Sequence, residues 1–295
     1  MTKKIGSEFK SPAHVGDIVY KVLVTLGIFL FSFSFVLVLA WMALNSLRVQ
    51  RSYFNKPYAF WDLKGATFDN YVQIFTMKYG ASRATMWMML KNSLVMIVVC
   101  TFLQAVIPVI TGYVVARYKT KLGSLAEQFV IISMVIPAIG STASTYAFMT
   151  AIKLKNTWAG IFLMNAGGIG FGMLLYKNYF TSISWEYAES AFLDGAGNLR
   201  VFFNIMYPQA MPLVVSMGIL SVIGLWNDYM TPYLYLNSKP TVALGVYTIQ
   251  TLAEGRSAMP QAFAAMSFMT VFVLILYASF SKTIMSSMSV GGLKG

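Results

Sequence analysis

The residues of this chain that are best suited to chemistry lie in one short polar segment between two long apolar runs. Ser184 is a good helix N-cap, and Glu186 falls in the first turn, where a carboxylate stabilises the helix dipole. Glu189 extends this acidic face. The apolar residues of the same stretch recur at helical spacing: Trp185, Ala188, Ala191 and Phe192. The pattern predicts an amphipathic helix of about ten residues that ends at Gly195, where a left-handed residue is common.

A second helix is expected directly after this glycine. Gly197 prolongs the break, and Asn198 is a suitable cap for a helix that runs into Pro208. Amphipathic helices that lie on membranes favour lysine and arginine on their polar face, whereas anionic lipid would repel the acidic face found here. The segment, at about residues 181–208, therefore favours docking with a protein partner.

The rest of the chain has no pattern of a catalytic or metal centre. Cys100 is the single cysteine and lies inside an apolar run, and His14, the single histidine, lies in the polar N-terminal segment. The sequence has neither a glycine-rich phosphate loop ending in Lys-Ser or Lys-Thr nor a Ser/His/Asp set with suitable geometry. We therefore expect no nucleotide hydrolysis, no metal centre and no cofactor on this chain.

The composition is that of a membrane protein. Of the 295 residues, 57% are hydrophobic and 11% are charged, against about 25% charged in an ordinary soluble domain. Six runs without charge are bounded on both sides by charged residues: Val22–Leu47, Asn92–Ala116, Gln128–Ile152, Asn156–Tyr176, Val201–Asn227 and Ser257–Ser281. A transmembrane helix needs about 20 apolar residues, so each run is long enough to cross the bilayer. The expected fold is all-α, a polytopic bundle of six transmembrane helices that forms a single domain over residues 1–295. The first run is too long for a signal-peptide core, so we expect no cleavage.

Two further segments between the runs are long enough to carry structure of their own. The segment at about 48–91 is rich in aromatic residues: Tyr53, Phe54, Tyr58, Phe60, Trp61, Phe68, Tyr71 and Phe75. These rings predict a small folded cap, with an aromatic belt at the lipid headgroups as the alternative. The segment at about 228–256 contains the uncharged stretch Pro240–Ala253, which is too short to span and predicts a re-entrant or surface-lying element.

The basic residues bear on orientation. The net charge is +12, and the basic residues are scattered along the segments that flank the runs. This distribution favours anionic lipid headgroups over nucleic acid as the partner of the basic residues. The cluster Arg117, Lys119 and Lys121 and the basic N-terminus favour cytoplasmic termini, although the remaining charges are divided almost evenly between the two sides. We expect a multi-pass protein of the plasma (inner) membrane, in contact with lipid and without a nucleic-acid partner.

The polar segment resembles the EAA loop of the permease subunits of ABC importers. The pattern of that family is Glu-Ala-Ala, three residues, Gly, nine residues, Ile, one residue, Leu-Pro. The residues that match it in register are Glu189, Ala191, Gly195, Ile205 and Pro208. Ser190 and Tyr207 depart from the pattern but keep the helical periodicity. Asp194-Gly195-Ala196 is similar to the Asp-Gly-Ala of the sugar-importing branch.

Two other features resemble carbohydrate permeases of the MalG type. One is Trp226-Asn227-Asp228-Tyr229 followed by Pro232, and the other is the glycine-containing terminus Val290–Gly295. The resemblance implies a second homologous permease, two ATPase subunits that carry the ATP and Mg, and an extracytoplasmic solute-binding protein. It also implies that the polar helix docks on an ATPase through the matching loop. The expected ATPase-coupling residues are Glu186, Glu189, Ala191, Asp194, Gly195, Ile205 and Pro208.

The expected function is that of a permease subunit that couples ATPase closure to alternating access for a sugar or oligosaccharide. Import of another solute, such as an amino acid or phosphate, is the alternative. A channel would need a lining ring or filter, and a membrane enzyme would need convergent titratable groups, and the sequence shows neither. Neutral sugars are the usual cargo of the resembled family, while the basic outer segments leave room for an acidic one such as a uronate oligomer.

Polar and aromatic residues inside the runs are candidates for the substrate pathway, because polar groups are costly in lipid and tend to face the bundle interior. These candidates are Gln104, Ser133, Tyr146, Asn165 and Asn227. For each of them, a hydrogen bond between helices is the other interpretation. Asp228 and Tyr229 are candidates for contact with the binding protein. Gly168 and Gly172 have a small-xxx-small spacing, which predicts close packing within the bundle, with a subunit interface as the alternative.

Overall fold

The computed structural model describes residues 15–60, 64–118, 120–136, 140–256 and 258–290. Its regular structure is helical, as the all-α prediction requires. In chain order the helices are α1 (Val15–Ser46), α2 (Gln50–Asn55), α3 (Asp69–Thr76), α4 (Met86–Tyr118), α5 (Lys121–Val135), α6 (Ser141–Ala151), α7 (Trp158–Asn165), α8 (Phe171–Ser182), α9 (Glu186–Leu193), α10 (Asn198–Val201), α11 (Tyr207–Asn227), α12 (Met230–Tyr235), α13 (Val242–Arg256) and α14 (Met259–Val290). A π-helical turn, Phe202–Met206, joins α10 to α11.

The expected count of six transmembrane helices is not exact. Within the described residues, four helical stretches are long and apolar enough to cross a membrane: Gly16–Ser46, Met86–Tyr118, Asn198–Asn227 and Met259–Lys282. The other two uncharged runs are each divided into two shorter helices. Freedom from charge measures only how well a segment tolerates lipid, and it does not require the helix to be continuous.

Glycines lie at both interruptions. Gly140, immediately before α6, has a φ of 79°, a left-handed value that an α-helix does not contain. Between α7 and α8 lie Gly167, Gly168 and Gly170, and each glycine in a helix interior costs about 1 kcal/mol relative to alanine. At the second break, the carbonyl of Gly168 lies outside both helices and accepts a hydrogen bond of 2.6 Å from the hydroxyl of Thr111 on α4.

The helix α4 is the centre of the bundle and packs against α7, α8, α11 and α13. Its closest approach is to α8. A Cβ added to Gly172 would lie 3.1 Å from Pro108, and one added to Gly168 would lie 2.6 Å from Ile107. The close packing predicted for the two glycines is therefore confirmed, but they do not share one helical face, because Gly168 lies in the break before α8.

The two ends of α4 define two ends of the molecule. One, the α9 end, contains α9, α10 and the final turns of α4 and α8. The other, the α13 end, contains α12, α13 and the start of α4. A separate hydrophobic core lies towards each end, around Trp226 and Met89 at the α13 end and around Tyr113 and Phe180 at the α9 end.

The aromatic segment after α1 is folded against the α13 end. The amide of Asn70 donates to the carbonyls of Ser46 and Arg48, and the ring of Phe75 packs edge-on against Phe268 at 5.3 Å. Tyr58 and Phe68 are exposed, whereas Trp61 lies outside the described residues. The predicted cap is thus present in α2 and α3. The short apolar element predicted at 240–253 is also present, as α13.

Candidate functional site

The helix α9 begins one residue later than the spacing predicts. It begins at Glu186, with Trp185 as its N-cap residue, and the hydroxyl of Ser184 accepts only a weak hydrogen bond of 3.4 Å from the Glu186 N–H. The carbonyl of Trp185 accepts the N–H groups of Ala188 and Glu189 at 2.8 and 3.0 Å. The two glutamates therefore still lie in the first turn, where the dipole stabilises a carboxylate.

The end of α9 is closed by a Schellman motif. Gly195 has a φ of 80°, its N–H donates to the carbonyl of Phe192 at 3.0 Å, and the next N–H, that of Ala196, donates to the carbonyl of Ala191 at 2.9 Å. These are the two bonds that define the motif, and they satisfy carbonyls that would otherwise lack a partner. The prediction that Gly195 ends the helix in the left-handed region is confirmed.

The two faces of α9 meet different surroundings. The apolar face is turned inward, with Ala188 fully buried and the ring of Trp185 5.9 Å from that of Phe192. It packs on the core that contains Val201 and Phe202. The acidic residues of the loop are exposed: Glu186, Glu189 and Asp194. The helix is thus held by its apolar face and presents its carboxylates to the surface.

Exposed apolar residues surround these carboxylates, and the sequence reasoning missed them. Leu193 is 89% exposed, Leu199 is 76% exposed and Tyr187 is 57% exposed. Leu193 and Tyr187 fall outside the apolar stripe that buries α9, which is the sequence signal that marks them as available for contact. Exposed apolar residues that are rimmed by polar ones are a common mark of a protein interface.

The two C-terminal residues of the matching pattern have different positions. Ile205 lies in the π-helical turn, is half-buried and packs on the core beneath α9. Pro208 is exposed in the first turn of α11, where the missing N–H of a proline is tolerated. The side chain of Gln209 donates to the carbonyl of Ile205 at 3.0 Å. Ile205 therefore supports the loop from within.

Among the candidate pathway residues, the structure brings one pair together. The amide of Gln104 on α4 donates to the side-chain oxygen of Asn165 on α7 at 2.7 Å, and Asn165 donates in turn to the carbonyl of Ile161. Ser133 and Asn227 donate to carbonyls of their own helices. Tyr146 lies on α6, where Lys155 donates to its hydroxyl. Within the described ranges, no hydrogen bond joins these three to the Gln104–Asn165 pair.

The two candidates for binding-protein contact lie at the α13 end. A carboxylate oxygen of Asp228 accepts the N–H of Thr231 at 3.0 Å, so this residue caps α12. Tyr229 stacks on Tyr247 with ring centroids 4.8 Å apart, and Tyr233 packs edge-on against the same ring at 5.9 Å. These tyrosines are partly exposed. A cleft of about 490 Å³ also lies at this end, lined by Tyr79, Ser82, Tyr233, Asn237 and Ser238.

The described residues contain no group of three or more His, Cys, Asp or Glu that could hold a metal ion. Cys100 is buried in α4 without a disulfide partner.

The family of the chain follows from comparison with known proteins. The model of the family described as "Binding-protein-dependent transport system inner membrane component" matches residues 106–288, which include α9 and the whole glycine-ended loop. The chain belongs to this family. It is a membrane component of a transport system and not an enzyme, and the resemblance to carbohydrate ABC importer permeases is confirmed.

Relatives of this permease are named as sugar transporters. The melibiose/raffinose/stachyose import permease MelC of Bacillus subtilis is 28% identical over 212 residues, covering 70% of this chain and 77% of the relative. The maltodextrin permease MalD of Streptococcus pneumoniae is 29% identical over 234 residues (77% and 80%). The sulfoquinovosyl glycerol permease SmoH of Agrobacterium fabrum is 27% identical over 258 residues (86% and 87%).

A solved structure supports the fold of the permease. A chain of a bacterial ABC transporter that imports the acidic polysaccharide alginate superposes with a TM-score of 0.78, covering 94% of this chain and 99% of that chain at 19% identity. A chain of the alginate transporter in complex with its alginate-loaded periplasmic protein gives a TM-score of 0.56 at 14% identity. At these identities the likeness concerns the fold alone.

Proposed function

We propose that this chain is one permease subunit of an ABC importer for sugars or oligosaccharides, in which α9 receives the movement of an ATPase. The observation that carries the proposal is the exposed face of α9, which presents acidic residues together with Tyr187 and Leu193. The helix ends at Gly195 in a left-handed turn, at the position that the EAA pattern gives to glycine. Family membership supports the transport role, and the names of the relatives support sugar over an amino acid or phosphate.

In this proposal the α9 end faces the cytoplasm, and the protein spans the inner membrane with both termini inside. Support comes from the compact sequence cluster Arg117, Lys119 and Lys121 where α4 ends, since cytoplasmic segments are enriched in lysine and arginine, although the other basic residues are divided almost evenly between the two ends. The α13 end then faces the binding protein, with Asp228 and the tyrosines around Tyr229 as the contact. The terminus Val290–Gly295, which contributed to the resemblance, lies outside the described residues from residue 291 onward.

The partners follow from the same proposal. A second permease completes the pathway, and two ATPase subunits bind ATP and Mg, while this chain supplies the docking surface. Glu186, Glu189 and Asp194 would meet polar or basic groups of the ATPase, and Leu193 and Leu199 would fill apolar depressions on it. For ATP to drive the cycle, the two states of the permease must bind the closed ATPase pair with different affinities.

Co-purification tests whether this chain assembles with an ATPase subunit. An affinity-tagged copy of this chain, expressed with its neighbouring transport genes, is expected to retain an ATPase subunit through purification in mild detergent. Repeated failure to recover an ATPase would instead favour a channel or a membrane enzyme.

The cargo is tested on the cognate binding protein. Thermal shift with a panel of neutral oligosaccharides, uronate oligomers, amino acids and phosphate is expected to show stabilisation by one saccharide class, because a ligand raises the melting temperature of the protein that binds it. Stabilisation by an amino acid or phosphate alone would overturn the assignment to sugars.

The Gln104–Asn165 pair has two possible roles, and we expect the structural one. Replacing Gln104 with methionine or Asn165 with leucine breaks the 2.7 Å bond between α4 and α7. A double-mutant cycle should give a coupling of about 0.6 kcal/mol in thermal unfolding, which is average for such bonds within membranes. The KM for uptake should stay unchanged. A shift of KM shared by both single variants would place the pair in the substrate pathway.

A further inference from the structure

The side chain of Arg117 makes contacts that its place in a basic cluster did not suggest. It lies in the last turn of α4 and is half-buried. One terminal nitrogen of its guanidinium donates to the carbonyls of Phe180 and Ile183, the latter at 2.8 Å. Its central carbon lies 4.8 Å from the centre of the Trp185 ring. A single side chain of α4 therefore contacts both the end of α8 and the N-cap residue of α9.

These contacts suit a guanidinium better than a lysine ammonium. The carbonyls at the end of a helix carry partial negative charge, and a cation bound there stabilises the helix end. The flat guanidinium also stacks on an indole ring, which a lysine ammonium does less well, being a compact point charge. The guanidinium of Arg117 is thus held by the two carbonyls and by the indole ring, whereas the side chain of its neighbour Lys121 is exposed.

The contact continues from Arg117 into the docking helix. Trp185 touches Phe192, and Phe192 belongs to the core on which α9 is seated. One turn earlier on α4, Tyr113 packs on Phe202 with ring centroids 4.9 Å apart. The end of α4 therefore lies against the elements on both sides of Gly195.

The opposite end of α4 is bonded to the α13 end in a similar way. The hydroxyl of Ser93 accepts the N–H of Val242 at 2.8 Å, and the amide of Asn92 donates to the carbonyl of Pro240 at 3.0 Å. With 33 residues, α4 spans roughly 50 Å. A single helix thus joins the two surfaces that our proposed function assigns to the ATPase and to the binding protein.

We propose that Arg117 is a positioning residue that ties α9 to α4, so that displacement of α9 by the ATPase moves α4 as well as the covalently attached helices. Without the contacts of Arg117, α9 remains folded and able to dock on the ATPase, but its displacement bends the connection between α8 and α9 and does not move α4. The inference rests on the proposed function and concerns the transmission of movement, not the binding of ATP or sugar.

The test uses the complete transporter in proteoliposomes with its loaded binding protein. Arg117→Gln is expected to lower the sugar transported per ATP hydrolysed by about fivefold or more, the range of ordinary coupling between sites, while ATPase subunits still co-purify. Arg117→Lys keeps a carbonyl bond and loses the stacking, so it should give an intermediate ratio. The control Lys121→Gln removes the same charge nearby and should leave the ratio unchanged.

A spectroscopic measurement separates positioning from general damage. With Cys100 replaced by alanine, spin labels at the exposed positions Val98 on α4 and Ser190 on α9 should give one narrow distance distribution, and Arg117→Gln should broaden it. An unchanged transport ratio in Arg117→Gln would overturn the proposal, as would an equal loss in Lys121→Gln. If Arg117→Gln fails to assemble, full activity of Arg117→Lys would overturn it. Failure of the wild-type complex to take up sugar would instead contradict the proposed function.

Discussion

Replacing Gly195 with valine is expected to lower both sugar transport and binding-protein-stimulated ATP hydrolysis by about 5- to 30-fold, while the protein still inserts into the membrane. The reason is conformational. At a φ of 80°, a β-branched side chain is strained by roughly 1–2 kcal/mol, and this strain falls on the turn that closes α9. The measurement is ATPase activity and uptake in proteoliposomes, with membrane insertion checked by immunoblotting.

Asparagine provides the matched control at this position. A Cβ added to Gly195 meets nothing within 4 Å, so size alone does not disturb the fold. Asparagine adopts the left-handed conformation more readily than other residues, and Gly195→Asn should therefore keep most of the activity. Equal losses in the valine and asparagine variants would show that the space in front of Gly195 is filled by a partner and that the backbone conformation is not the limiting factor. Unchanged transport in both would remove the loop from the coupling role.

Replacing Gly112 with alanine is expected to destabilise the permease by about 1–3 kcal/mol, the usual cost of overpacking. A Cβ at this position would lie 2.7 Å from the Cβ of Tyr176, 2.9 Å from the N of Lys177 and 2.9 Å from the carbonyl oxygen of Met173. Backbone atoms cannot move aside as a flexible side chain does, so α4 and α8 would have to separate. Thermal unfolding of the purified protein, followed by tryptophan fluorescence, should show a lower midpoint.

Gly224 is the control for this prediction. It lies in α11, and a Cβ added there meets nothing within 4 Å. Gly224→Ala should therefore leave the midpoint unchanged or raise it, since alanine is the better helix former. A midpoint for Gly112→Ala that matches wild type would mean that α4 and α8 do not approach as closely in the membrane as they do here.

The features of α9 that the sequence predicted correctly are those decided by near neighbours in the chain. A helix end at Gly195 requires only that one residue accept a positive φ and that two nearby N–H groups find carbonyls within α9. The burial of Ala188 follows from the periodicity of the apolar residues around it. Both patterns extend over less than a dozen residues, and the family pattern that they match, from Glu189 to Pro208, is also confined to one short segment of the chain.

The sequence misjudged the two runs that are divided into shorter helices. The runs are recognised by their freedom from charge. Glycines such as Gly140 and Gly168 are uncharged and compatible with lipid, so they do not divide a run. At the break before α8, the interrupted backbone is tolerated because α4 lies against it and the hydroxyl of Thr111 satisfies the carbonyl of Gly168. That partner is 57 residues away in the chain, and no local pattern indicates it.

By itself, the sequence determined that the chain crosses the membrane as helices and that a short acidic helix ends at Gly195. Hydrophobicity and the conformational freedom of glycine act within a few residues, so they can be read along the chain. Only the tertiary structure decided that Arg117 of α4 lies against Trp185 and that Gln104 meets Asn165. Each of these depends on side chains from distant segments meeting in space, and such a meeting is set by packing of the whole bundle.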